Sequence, residues 1–117
     1  MTRYEQFHRA GRQFELKDYY GAARTLETLL MDVAADDDCG DWVGHSLTDA
    51  RLLLARAYYH SAQLGRAESA ARAVLAESPT EAYAALLLSR TLERAARPDE
   101  ARQALRLATA LGAPGTA

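Results

Sequence analysis

The chain of 117 residues, 49% of them apolar, suffices for one domain with its own core and leaves no room for an accessory catalytic domain. Ala supplies 25 residues whereas Gly and Pro together supply ten, most of them at segment ends, a composition that makes the chain helical. The net charge of -2 divides into +1 over residues 1–31, -6 over 32–49 and +3 over 50–117, and no apolar run reaches the ~18 residues of a membrane span.

Taken in chain order, apolar residues recurring at helical spacing predict six helices near 4–17, 20–35, 47–62, 65–77, 81–96 and 99–111. Met1-Thr2-Arg3-Tyr4 lacks the apolar core of a signal peptide, so a cytoplasmic protein is expected. Lys17-Asp18-Tyr19 makes the first turn. Residues 36–46 form an acidic insert containing Cys39 and Trp42; Cys39 is the sole cysteine, so no intrachain disulfide exists. Gln63-Leu64-Gly65 breaks the second pair of helices. Pro79 stops the fourth helix and Thr80 is placed to cap the fifth. Arg97-Pro98-Asp99 makes the last turn, and Gly112 with Pro114 ends the sixth helix.

Ala10-Gly11-Arg12-Gln13-Phe14, Leu54-Ala55-Arg56-Ala57-Tyr58 and Leu88-Ser89-Arg90-Thr91-Leu92 share one pattern: apolar, small, Arg, any residue, large apolar. Twelve residues beyond each small residue stands Ala23, Ala67 or Ala101. The second and third copies lie 34 residues apart and the first and second 44, so about ten residues have entered between them. Short side chains let the two helices of a hairpin approach to ~8–10 Å, which assigns Gly11, Ala55 and Ser89 with their Ala partners to the crossings. In the first copy Leu26 and Leu29 also suit a register in which Ala22 replaces Ala23.

The set Leu54-Ala55, Tyr58, Ala67 and Pro79 resembles the tetratricopeptide repeat family; Ser89, Leu92 and Ala101 match it without the aromatic, and Gly11, Phe14 and Ala23 match in the first copy. The resemblance covers repeats at about 3–35, 48–80 and 82–114, and implies an all-α right-handed solenoid of three stacked hairpins. A generic helical bundle is the alternative fold.

No phosphate-loop, dinucleotide, zincin or nucleophile-elbow pattern occurs, so neither enzymatic activity nor a cofactor is expected. The acidic insert fails as an EF-hand, because Gly40 stands where an oxygen ligand is needed, and Cys39 with His45 falls short of a zinc set. No metal is assigned. With a small residue turned into its own hairpin, the next residue points about 100° away, toward the inner face. Arg12, Arg56 and Arg90 then form a ladder, with Leu52, Tyr59, Tyr83, Leu86 and Arg94 around it. The resemblance implies that this concave face holds a partner peptide, although Arg12, Leu53, Tyr83 and Leu87 replace the Lys and Asn of the family's carboxylate clamp. An acidic peptide is the expected ligand, with the acidic insert as an internal competitor. Pairing of Arg12 with Glu15 and of Arg90 with Glu93 would instead leave an ion-paired scaffold face. A second reading is self-association, as a homodimer, through Leu107 and Leu111 on an uncapped last hairpin. Nucleic acid and membrane are not expected partners.

Overall fold

The computed structural model describes residues 2–35 and 45–113, and among these every regular element is an α-helix. They are α1 (Arg3–Glu15), α2 (Tyr19–Ala35), α3 (His45–His60), α4 (Leu64–Glu77), α5 (Ala82–Arg94) and α6 (Pro98–Ala110). The expected spans agree to within about two residues, and the acidic insert with Cys39 and Trp42 lies outside the described residues.

Local chemistry sets the boundaries. Thr2 caps α1 by accepting from the Glu5 amide at 3.1 Å while its hydroxyl donates to the Glu5 carboxylate. Asp18 caps α2 by accepting from the Gly21 amide at 3.0 Å. Pro98 opens α6, where its missing N–H costs nothing, and Asp99 and Glu100 complement the helix dipole. Thr80 does not cap α5: that place belongs to Glu81, whose amide donates to the Ser78 carbonyl at 3.0 Å, so the turn after Pro79 is one residue longer than expected.

The three tight turns are the same turn. Lys17, Ala62 and Ala96 each take a left-handed φ, near 60°. In each, the amide of the left-handed residue and the next one reach back to carbonyls of the preceding helix: Lys17 to Phe14 and Asp18 to Gln13, Ala62 to Tyr59 and Gln63 to Tyr58, Ala96 to Glu93 and Arg97 to Leu92. This is a Schellman ending, and its last residue starts the next helix.

The repeated turn fixes the register. Ala62 and Ala96 are 34 residues apart, but Lys17 and Ala62 are 45 apart. The first copy is therefore displaced by one residue from the sequence-based alignment. Ala10, Ala55 and Ser89 are the equivalent positions on the first helices and Ala22, Ala67 and Ala101 on the second, and all six are buried. Gly11 is only half-buried, with open space around its Cβ position, so it is not the crossing residue.

Each helix packs chiefly on its neighbours in sequence, with smaller contacts of α1 with α3 and α3 with α5. Among the described residues the backbone of α1 contacts neither α5 nor α6. One core cluster joins the first two hairpins through Leu26, Leu29, Leu54 and Tyr58; another, with Ala71, Leu88, Leu92 and Ala104, joins the last two. Polar joints sit beside them. Tyr58 donates to the Glu27 carboxylate at 2.6 Å, and burial together with this carboxylate pushes its phenol well above the ordinary range. Glu68 accepts from Arg97 at 2.5 Å and from Arg72 at 2.9 Å, which holds its carboxyl below the usual range.

Candidate functional site: the inner face of α1, α3 and α5

Phe7, Gly11 and Phe14 stand on α1 where Leu52, Arg56 and Tyr59 stand on α3, and Leu86, Arg90 and Glu93 on α5, once the turns are superposed. Arg56 and Arg90 thus share a register, but the first-hairpin member of the ladder is Gly11. Arg12 sits one step on, at the position of Ala57 and Thr91, both of which are buried against a neighbouring hairpin. No hairpin covers that side of α1 among the described residues, so Arg12 is exposed.

The absent side chain at Gly11 opens a hollow of about 290 Å³, lined by Phe7, His8, Gly11, Arg12 and Glu15. Arg12 therefore still reaches the inner face, from its rim. Beyond Phe7 lies a second cleft of about 330 Å³, walled by Phe7, Asp49, Leu52, Leu53, Arg56 and Tyr83. The two share Phe7 and run from α1 across α3 to α5.

Arg56 dominates the second cleft. Its guanidinium carbon lies 4.6 Å from the centroid of Phe14 on one side and 5.8 Å from that of Tyr83 on the other. Flat guanidinium stacks on flat rings, and no ion pair among the described residues holds it. Its Nε is buried and has no hydrogen-bond partner among the described residues. Asp49 lines the same cleft, so one carboxylate of this chain already stands in it.

No family model, curated protein or solved structure matches the chain.

Leu52 and Tyr83 line the second cleft, with Tyr83 40% exposed. Tyr59 and Arg94 are turned to each other: the Arg94 guanidinium lies 4.8 Å over the Tyr59 ring and donates to the Tyr59 carbonyl at 3.0 Å. Arg90 is exposed on α5. Leu86 departs from expectation, because it is buried with Ala85, Ala108 and Ala113 where α5 is flanked by both α4 and α6. The alternative pairs of Arg12 with Glu15 and of Arg90 with Glu93 are not among the ion pairs of the described residues, although Arg90 does have a partner.

Phe7, Phe14 and Gly11 were assigned no place in the groove from sequence. Phe7 falls on the same register as Leu52 and would follow from aligning the turns rather than the small residues. Leu107 on α6 is 41% exposed, while Leu111 at its C-cap packs partly against the cluster of Ala85, Leu86, Ala108 and Ala113, because the left-handed Gly112 turns Ala113 back to bond the Ala108 carbonyl at 2.9 Å. Among the described residues no group of three or more His, Cys, Asp or Glu is placed to hold a metal, and no helix is long and apolar enough to cross a membrane.

Proposed function

We propose that this protein is a non-enzymatic adaptor, a tetratricopeptide-like right-handed stack whose inner face holds a peptide segment of a partner carrying carboxylates beside apolar side chains. The observation that carries this reading is Arg56, whose guanidinium is held near the rings of Phe14 and Tyr83 at the wall of the cleft. A carboxylate there gains a charge-assisted bond in a site partly shielded from water. Phe7, Leu52 and Leu53 offer the apolar contact, and Arg12 and Arg90 extend the positive field along the groove. Titration of a fluorescein-labelled peptide alternating Glu with Leu tests it. Arg56→Ala should weaken binding by about tenfold, equivalent to ~1.4 kcal/mol, and raising salt should weaken it further. Binding indifferent to both would move recognition to another surface.

The alternative, a self-associating subunit joined through α6, draws on Leu107; the partial burial of Leu111 leaves it a narrower apolar patch.

A further inference from the structure

His60, the last residue of α3, reaches both helices of the first hairpin. Its ring stacks on Tyr19 of α2 with centroids 4.9 Å apart and planes 21° from parallel. It meets Phe14 of α1 edge to face at 5.4 Å and 74°, and Tyr59 of its own helix at 5.4 Å and 84°. Two of these three rings already carry a guanidinium, Arg56 over Phe14 and Arg94 over Tyr59. From α1 the contact is the uncharged Phe14, from α2 the titratable Tyr19, from α3 Tyr59 and Arg56, and from α5 Arg94. Among the described residues, no carboxylate stands among the charges acting on the imidazole.

We propose that His60 is a proton-sensitive latch between the first two hairpins, closed as the neutral imidazole and loosened by protonation, so that mild acid opens the Phe14–Arg56 end of the inner groove. The latch stands on contacts between hairpins and not on what occupies the groove. A neutral imidazole packs as one more aromatic ring, whereas an imidazolium brings a third cation beside two guanidinium groups. The attraction of Phe14 and Tyr59 for a cation is already engaged by Arg56 and Arg94, which leaves Tyr19 as the one ring to offset that repulsion. His60 keeps an exposed edge at the end of α3; desolvation of its packed face, then Arg56, then Arg94 hold its pKa below the ordinary 6.5. The folded chain therefore binds fewer protons than the unfolded chain in the window below 6.5. The contribution to stability is complete above that value and is lost as pH falls through 6.5 toward the folded pKa.

Two measurements test this. In the wild-type protein, the imidazole proton shifts of His60 followed by NMR should give a midpoint below 6.5. Amide protection factors over residues 14–19 should drop several-fold between about pH 7.5 and about pH 5.5. In His60→Phe, which keeps the ring and cannot titrate, they should stay level over that range. A midpoint at or above 6.5, read without any variant, overturns the latch, and so does an equal loss of protection in His60→Phe.

Discussion

At the scale of single residues, the hairpin turns hold an unusual choice. Lys17, Ala62 and Ala96 all adopt left-handed φ, where an L side chain costs roughly 1–2 kcal/mol and glycine costs almost nothing. Glycine gives back part of that gain through its freer unfolded chain, ~0.4–1 kcal/mol. The balance favours glycine. Ala62→Gly and Ala96→Gly together should raise stability by about 1 kcal/mol in chemical denaturation, and an unchanged midpoint would show that the turns relax to another conformation. These turns were legible in sequence as breaks but not as left-handed residues, because neither Lys nor Ala advertises that conformation as glycine does. Gly112, also left-handed at φ 87°, does advertise it, and the end of α6 was read accordingly.

At the scale of elements, all six helices follow from apolar spacing, whereas the register of the first hairpin does not follow from the small-Arg pattern. Ala10-Gly11 offers two adjacent small residues, and the neighbouring Arg12 pulls the alignment onto the wrong one. The deciding signal was present in Leu26 and Leu29, which occupy the positions of Ala71 and Val74 only if Ala22 is the crossing residue. The site inherits this error: Arg56 and the cleft beside it were legible, while Arg12 was given the place of Gly11. A pair of substitutions separates the registers. Ala10→Leu should cost about 1–3 kcal/mol through overpacking at the helix crossing. Gly11→Ala should gain up to ~1 kcal/mol from helix propensity, since nothing lies within 4 Å of the added methyl. The reverse ranking in thermal unfolding would restore Gly11 to the crossing.

At the scale of the whole molecule, the two ends of the stack resist copying its internal joints. Glu5, Arg9, Arg12 and Gln13 occupy on α1 the places where α3 carries Ala50, Leu54, Ala57 and Tyr58 against the first hairpin. On α6, Arg102 and Thr109 stand where α4 carries Glu68 and Leu75, so head-to-tail addition of a second copy loses both the carboxylate and the apolar side chain of the internal joint. Light scattering at high concentration should give the monomer mass, and Leu107→Glu should leave it unchanged; a wild-type dimer that Leu107→Glu dissolves would favour the self-associating subunit instead.

The open contact pattern also bears on how the chain reaches this shape. With α1 out of reach of α5 and α6, no contact has to wait for the two ends of the protein to find each other. The middle hairpin is the only one that borders two others, so it is the common ground of every assembly order, and either flank can join it first. Folding by such parallel routes is fast and tolerant of a slow partner, because a defect confined to one flank delays that flank alone.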